Sequence, residues 1–421
     1  MLENIKFKIK KIIILYSNKF GIDLDYILKS SIWNSSNQLM TIIFGIILSI
    51  FLARTTSTEV FGDYYFLLSI ITMLSIISMP GLNISLVKSV SRGKDGIYTE
   101  SVKLSFLWSL IGIPVLLLIG LYYYFFGNNL VGIALLLAAI FFPFFYAPNN
   151  WQYLLIGKER FDLYSKRNMT QTLIISMFII ISVIIGKGSL IPIFITYMLF
   201  NAFFNTFYYF QCKKFVENDA EEEGWKNSGY QLTFIEFTLF AYDNIDKIII
   251  GILLGPSQLA IYVIAVTVVN LLRGSFSQIF QVITPKIMKM EKELINYHLK
   301  RLMPKFIIFN IILLIFIIII LPFIIKLFYS EKYIQSIYYA QIYTLTIPLA
   351  FIMTITSNII VAHNKENILL KLRIVGTIVL LSLYVLLIPL LGLIGAIISS
   401  IIYYIFIDIL QYFYSTKSRN Y

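Results

Sequence analysis

The sequence has few of the side chains that build most catalytic and metal sites. It contains one cysteine and two histidines in 421 residues. The single cysteine, Cys212, excludes an internal disulfide and most thiolate metal sites. No Walker motif, nucleophile elbow or clustered aspartate pair typical of metal-dependent glycosyl transfer occurs. We therefore expect no cofactor and no metal, and we do not expect an enzyme.

Charged residues are also scarce. They make up 13% of the chain, against 58% hydrophobic residues, which leaves too little polar surface for a soluble domain of this length. The composition therefore indicates an integral membrane protein. A net charge of +12 would suggest nucleic acid in a soluble protein, but here the basic residues lie in short loops beside apolar stretches. We expect membrane lipids, and no nucleic acid, as partners.

Twelve apolar stretches are long enough to span a bilayer. They cover approximately 33–53, 64–87, 104–126, 130–156, 169–186, 189–210, 230–254, 258–283, 303–327, 337–361, 372–389 and 393–414. If the N-terminus is cytoplasmic, 28 of the 34 Lys and Arg residues lie in or at the edges of the inside segments, and four lie outside. Basic residues retained in the cytoplasm fix orientation. Both termini are therefore predicted to be cytoplasmic.

The longest polar connection falls between spans six and seven and contains five acidic residues. It predicts a linker between two halves. The chain then divides into an N-terminal tail, a six-helix lobe, a cytoplasmic linker, a second six-helix lobe and a C-terminal tail, at 1–30, 31–212, 213–229, 230–414 and 415–421. The N-terminal tail carries six lysines, and a surface-lying amphipathic helix or a solvated basic tail would each fit it.

The two halves show weak similarity to each other. An offset of about 200 residues aligns the starts of spans two and eight, at 61–64 and 259–262, and the segments after spans four and ten. Chance apolar similarity is the alternative. Two copies with an even number of spans share one orientation and are related by an axis along the membrane normal. This predicts an all-α membrane protein with two pseudo-symmetric six-helix lobes around a central cavity.

Span seven carries charges that a lipid-facing helix does not tolerate. Glu236, Asp243 and Lys247 fall on one helical face with Asp246 beside them. A central charge costs about 2.5 to 3.5 kcal/mol on insertion scales, so this stripe should face a wet cavity or a partner helix. One interpretation makes the three carboxylates ion-coupling groups and Lys247 a substrate ligand. The other is a structural Asp243–Lys247 pair at i,i+4.

Other spans carry compatible polar stripes. Asn37 and Gln38 lie on a polar face of span one, and Gln278 and Gln281 lie on one of span eight, with Arg273 beside them. These side chains are further candidates for a substrate cavity. Arg273 fits anion binding and structural pairing equally well. Arg54, at the outer end of span one, is also a candidate, although a topological role explains it better.

Four segments carry a resemblance to a known family. They are FLARTTSTEVFGDYYFLLSI, LLIGKERF, YDNIDKIIIGILLGPSQLAIYVIA and ITPKIMK. With the pattern of twelve spans, they resemble the Wzx-type flippases of polysaccharide and O-antigen repeat units, in the multidrug/oligosaccharidyl-lipid/polysaccharide (MOP) exporter superfamily. The resemblance implies a MATE/MOP-like fold.

The resemblance also implies a function. A protein of this type would lie in the bacterial inner membrane and move an undecaprenyl-pyrophosphate-linked oligosaccharide from the cytoplasmic to the periplasmic leaflet by alternating access. H⁺ or Na⁺ would be candidate coupling ions, and polysaccharide polymerase and chain-length machinery candidate partners. Lys247 and Arg273 would contact the diphosphate.

Two alternatives remain. A multidrug or toxin cation antiporter would share the fold, but similar proteins of that branch often have an acidic residue in the first span, where this chain has Asn37 and Gln38. A membrane-embedded polysaccharide polymerase or ligase would be expected to have a large periplasmic loop with Arg or His. The sequence has no such loop.

We predict that both termini and the linker are cytoplasmic. Single cysteines placed in the linker, for example Glu222→Cys on a Cys212→Ser background, should be protected from a membrane-impermeant maleimide in intact cells and labelled after permeabilisation. Labelling of residue 222 from the periplasm would contradict the twelve-span topology.

Overall fold

The computed structural model describes residues 24–288, 292–362 and 365–416, and within these ranges the chain is helical with no β-strand. Short 3₁₀ segments connect several of the α-helices. The α-helices are α1 (Leu24–Thr55), α2 (Thr58–Leu74), α3 (Gly81–Val90), α4 (Ile97–Phe126), α5 (Asn129–Tyr146), α6 (Trp151–Gly157), α7 (Phe161–Ile185), α8 (Leu190–Cys212), α9 (Trp225–Leu253), α10 (Pro256–Met288), α11 (Lys292–Tyr329), α12 (Gln335–Tyr343), α13 (Thr346–Ala362), α14 (Glu366–Leu391) and α15 (Leu393–Thr416).

Eleven candidate spans among the described residues are long and apolar enough to cross a membrane. The predicted seventh span is not among them, although it forms the 29-residue helix α9. The physical reason is its charge, because four charged side chains lie between Glu236 and Lys247. The chain is therefore a multi-pass membrane protein in which one long helix is unusually polar.

Three predicted spans are interrupted. Span two breaks at the 3₁₀ segment Ser75–Ser78, followed by Met79 with a φ of 58° and by Pro80. Span four breaks at the 3₁₀ segment Ala147–Asn150, which contains Pro148. Span ten divides between α12 and α13. Prolines lie at or next to these breaks because a helix start tolerates the missing N–H of proline. The hydropathy of the sequence does not show these breaks, because each span is one continuous apolar stretch.

The described helices form two compact units. One holds Met1–Phe51, Ile77–Gly186 and Ile191–Thr233, and the other holds Leu52–Ile76, Lys187–Leu190 and Phe234–Tyr421. These boundaries differ from those of the predicted lobes, since α2 lies in the second unit and the start of α9 in the first. The division into two six-helix lobes stays a prediction.

Helix α2 packs closely on the start of α10. A Cβ atom on Gly62 would lie 1.9 Å from the carbonyl oxygen of Pro256, so the close approach requires glycine. The two helices are the ones that the predicted repeat makes equivalent. A pseudo-two-fold axis would bring such equivalent helices together.

The segment 216–224, which we call the strap, was predicted to be part of a linker. The structure ties it to the loops of the first unit. Lys158 Nζ lies 2.6 Å from Asp95 Oδ2 and 3.1 Å from Glu217 Oε2. Asp95 Oδ2 also accepts a hydrogen bond of 2.9 Å from the backbone N–H of Glu217. The side chain of Asp95 is fully buried, whereas that of Glu217 is 75% exposed.

Further contacts fix the strap along its length. The backbone N–H of Gly96 donates to Ala220 O at 3.0 Å, and Asn218 Nδ2 donates to Gly93 O at 3.0 Å. Glu222 accepts from Ser89 Oγ at 2.9 Å and pairs with Arg92 at 2.5 Å. The strap thus runs against the turn between α3 and α4 and ends where Trp225 enters the apolar core of the first unit.

The two ion pairs of Lys158 act on its pKa. Burial lowers the pKa of Lys158, but its hydrogen bonds to Asp95 and Glu217 outweigh that effect and raise the pKa above its ordinary value of 10.5. The stabilisation from this raised pKa is fully present below the ordinary pKa and is lost only as the pH rises through the raised one. The strap is therefore held throughout the physiological pH range.

We predict that Lys158→Ala destabilises the protein by about 3 kcal/mol or more, because it leaves the buried Asp95 carboxylate without its cation. Glu217→Ala should cost less than about 1 kcal/mol, because that carboxylate is largely solvated. Thermal and denaturant unfolding in detergent measure both effects. Lys226→Ala, which removes a more exposed pair with Glu100 at 3.6 Å, is the matched control. Equal effects of Lys158→Ala and Lys226→Ala would contradict the assignment.

Candidate functional site

The charged side chains of α9 do not share one environment. Asp246 is buried, with 6% of its surface exposed. Its Oδ1 accepts hydrogen bonds from the backbone N–H of Lys247 at 2.8 Å and from Lys247 Nζ at 3.2 Å. Its Oδ2 accepts one from the Tyr262 hydroxyl at 2.8 Å. Both oxygens of this carboxylate are therefore satisfied within the second unit.

Lys247 pairs with the adjacent carboxylate and not with the one a helical turn away. Its Nζ bonds Asp246 Oδ1 and the backbone carbonyl oxygen of Asp243. The predicted side-chain pair between Asp243 and Lys247 is thus wrong, because the ammonium group reaches the buried Asp246 carboxylate and leaves the Asp243 side chain accessible. The assignment of Lys247 to a substrate site stays a prediction.

Asp243 and Glu236 are the less constrained carboxylates of α9. Asp243 is exposed and Glu236 is partly exposed, and within the described ranges neither side chain has a hydrogen bond or an ion pair. Arg373 acts electrostatically on Glu236, whereas Asp243 feels Lys247 most strongly among the cations, followed by Arg273 and Arg373. Their role as ion-coupling groups stays a prediction.

A cavity of about 380 Å³ lies inside the second unit, among α9, α10, α13, α14 and α15. Its lining includes two guanidinium groups, several tyrosines and small polar side chains, and no carboxylate among the described residues. The lining residues are Thr238, Leu239, Tyr242, Asn270, Arg273, Gly274, Ala350, Phe351, Met353, Thr354, Arg373, Thr377, Tyr403 and Tyr404.

Arg273 is held by aromatic side chains. Its Nη1 donates a hydrogen bond of 2.6 Å to the Tyr404 hydroxyl, and its Cζ lies 5.9 Å from the centre of the same ring. The Tyr242 hydroxyl donates to the Tyr404 hydroxyl at 2.9 Å, and the Tyr242 and Tyr403 rings lie 5.1 Å apart. A guanidinium carries five N–H donors. One hydrogen bond among the described residues leaves most of them for a ligand.

The cavity has the chemistry of an anion and sugar site. Two planar, permanently charged guanidinium forks match phosphate oxygens, and amides, hydroxyls and aromatic rings match sugar groups. Its described lining contains no cysteine, histidine or carboxylate that would serve as a nucleophile or a base. The arginines and tyrosines that do line the cavity can bind a phosphate and sugar hydroxyls.

Three predicted site residues do not line the cavity, and two of them have other partners. Arg54 donates from Nε to Phe328 O at 2.8 Å and from Nη2 to Leu327 O, at the C-terminal end of α11. It satisfies helix-end carbonyls and does not line the cavity. Asn37 is buried and accepts a hydrogen bond of 2.9 Å from Asn168 Nδ2, and Gln38 is exposed on α1.

Two further candidates lie on α10, and one isolated acid lies on α15. Gln278 and Gln281 lie on α10 beyond the part whose side chains the structure describes. Asp408 on α15 is 8% exposed, and neither carboxylate oxygen has a hydrogen-bond partner among the described residues. Burying a charged carboxylate in this way costs several kcal/mol or more.

Sequence reasoning missed Arg373 and the tyrosines of the cavity. Arg373 falls at the edge of the predicted eleventh span and was counted among the cytoplasmic basic residues that fix topology. Tyr403 and Tyr404 count as hydrophobic residues, so the hydrophobic pattern of span twelve does not distinguish them from its other residues. The two adjacent tyrosines could have indicated the cavity, because hydroxyl groups inside a span need hydrogen-bond partners.

Comparisons with known proteins agree with this architecture. A family model described as polysaccharide biosynthesis protein matches residues 27–291. No curated protein matches the chain. One similar solved structure is the lipid II flippase MurJ in an inward closed conformation, with a TM-score of 0.65 and 18% identity, covering 91% of this chain and 87% of that one.

Two further solved structures are MOP-superfamily transporters. An inward-facing multidrug resistance MATE family transporter has a TM-score of 0.59 and 13% identity, covering 90% of this chain and 96% of that one. A transporter from Pyrococcus furiosus has a TM-score of 0.57 and 12% identity, covering 94% and 96%. The predicted fold class, an all-helical membrane protein of the MATE/MOP type, is confirmed.

We predict that Lys247→Met destabilises the fold by about 3 kcal/mol, because it leaves the buried Asp246 carboxylate without its cation. Adding Asp246→Asn should recover part of the loss, since no unpaired charge then remains. Asp243→Asn is the matched control and should change stability by less than about 0.5 kcal/mol. Unfolding in mixed micelles measures all three. An unchanged stability of Lys247→Met would show that the pair does not stabilise the fold.

Proposed function

Because the chain belongs to the polysaccharide biosynthesis protein family, we propose that this multi-pass membrane protein is a flippase for lipid-linked oligosaccharides. The observation that carries the proposal is the cavity of the second unit, where Arg273 and Arg373 accompany tyrosines and small polar groups. A diphosphate entering such a site exchanges water for charge-assisted hydrogen bonds. The lipid chain stays in the bilayer, so only the headgroup needs a polar path.

The substrate that we propose is an undecaprenyl-pyrophosphate-linked repeat unit of a surface polysaccharide. The family description supports a role in polysaccharide biosynthesis, and a similar fold in a lipid II flippase supports a lipid-linked substrate. The protein would lie in a bacterial inner membrane with both termini cytoplasmic, act by alternating access, and deliver its product to polymerase and chain-length machinery. It would carry out no covalent step.

A multidrug cation antiporter is the rival within the same fold. Cationic drugs require carboxylates or aromatic cages free of competing cations. The described lining of the cavity has two arginines and no carboxylate, which favours an anionic substrate. Coupling to H⁺ or Na⁺ is also part of the proposal, through the accessible Asp243 and Glu236. The buried Asp408 is an added candidate, and Asp246 is engaged with Lys247 and Tyr262.

We predict that Arg273→Ala and Arg373→Ala each reduce transport by roughly one to two orders of magnitude, since a charge-assisted hydrogen bond contributes about 1.5 to 3 kcal/mol. Arg273→Lys should keep part of the activity, because the charge remains while the fork is lost. Surface polysaccharide at native expression and flipping of a lipid-linked oligosaccharide in liposomes are the measurements.

Lys371→Ala is the matched control, because Lys371 is exposed on the same helix as Arg373 and does not line the cavity. It should transport normally. Normal polysaccharide in both arginine variants, with full-length protein in the membrane, would contradict the diphosphate site. Extrusion of cationic dyes that depends on Asp243, with no flipping activity, would instead support the antiporter.

A further inference from the structure

A second cavity lies in the first unit, on the outer surface between α5 and α8. Its volume is about 420 Å³, and its lining is almost entirely apolar. The lining residues are Ile140, Phe141, Phe144, Leu199, Ala202, Phe203, Thr206, Phe207 and Phe210. Phe203 and Phe210 are 57% and 61% exposed, and Ala202 at 5% exposure marks the floor. We call this cavity the aromatic groove.

The dimensions of the aromatic groove suit one lipid chain. From Leu199 to Phe210 it follows α8 for roughly 16 Å at 1.5 Å per residue. That length is about half of a hydrocarbon core of roughly 30 Å, which corresponds to a single leaflet. The stacked rings of Phe203 and Phe207, 6.0 Å apart with an interplanar angle of 6°, form one wall of the groove.

Cations lie at the end of the groove where α8 finishes. Lys213 Nζ lies 5.0 Å from the centre of the Tyr209 ring and 5.3 Å from that of Phe210, which itself lines the groove. Lys213 and Lys214 are exposed, and within the described ranges neither has an ion pair.

The acidic strap that follows forms no ion pair with these lysines among the described residues. Glu217 pairs with Lys158 and Glu222 with Arg92. The other strap carboxylates, Asp219, Glu221 and Glu223, have no described ion pair with Lys213 or Lys214. A groove that ends in unpaired cations at the expected membrane surface has the two features that an anionic lipid requires. One is an apolar slot for a chain, and the other is positive charge for a phosphate.

We propose that the aromatic groove is a binding site for an anionic phospholipid of the bilayer. One acyl chain lies between α5 and α8, and the headgroup phosphate contacts Lys213 and Lys214. A zwitterionic lipid such as phosphatidylcholine carries the same phosphate, but its choline cation offsets the attraction to the two ammonium groups. The site is independent of the proposed transport function, because it uses none of the residues of the arginine cavity.

Tryptophan quenching by brominated lipids tests the site in the reconstituted full-length protein. Phe203→Trp places a reporter in the groove, and Leu118→Trp places one on α4 at a position 69% exposed and outside the groove. Quenching is measured against the parent protein, in mixtures of dibrominated phosphatidylglycerol or dibrominated phosphatidylcholine with the matching unbrominated lipids.

We expect brominated phosphatidylglycerol to be preferred at Phe203→Trp by on the order of five-fold per lysine engaged. The preference should fall at high salt and disappear when Lys213→Gln and Lys214→Gln are added, while Leu118→Trp shows none. Equal quenching by both lipids would overturn the proposal and indicate ordinary boundary lipid. Quenching by neither would overturn it by showing that protein, such as a second copy, covers the groove. A preference that survives the lysine changes would also overturn it.

Discussion

The absence of water in the hydrocarbon core is the constraint on which this structure depends. Every polar group placed there must find a partner inside the protein or face a wet cavity. Asp246 follows the first route, since Tyr262 and Lys247 satisfy both of its oxygens. Arg273 follows the second, because Tyr404 holds it at the edge of a cavity with donors to spare. The charge of α9 is paired within the protein, whereas the charge of Arg273 on α10 faces a cavity.

Charged side chains lie in different places in the two compact units. In the first, the described ion pairs of the strap lie at the ends of the helices, where Lys158 joins Asp95 to Glu217. In the second, charge enters the spans themselves and is accompanied by tyrosine hydroxyls. Tyrosine suits that place, because its ring packs like an apolar side chain while its hydroxyl still bonds a charged neighbour. Charged side chains thus fix a loop segment in the first unit and line a polar cavity in the second.

The sequence predicted the membrane class and the polar character of α9, and it singled out Arg273, which lines the cavity and whose role stays a prediction. Those features are local, because hydropathy and helical periodicity carry them. The Lys247–Asp246 pair was missed because periodicity places residues on a face without fixing where flexible side chains bend. The sequence predicted the strap only as part of a linker, since its partners Asp95 and Lys158 are distant in sequence. Arg373 was overlooked because one basic residue at a span edge serves topology and binding equally well.

The packing of α2 on α10 has a consequence for how the chain is made. Pro256, the close neighbour of Gly62, is synthesised roughly 190 residues after it. At usual elongation rates this interval is on the order of 10 to 40 s. Until then, the face of α2 that holds Gly62 has only lipid, the translocon or a chaperone to cover it. The packing of α2 in the second unit is therefore completed only after α10 has been made. During biogenesis, α2 is thus the helix of this unit that is exposed longest to wrong partners.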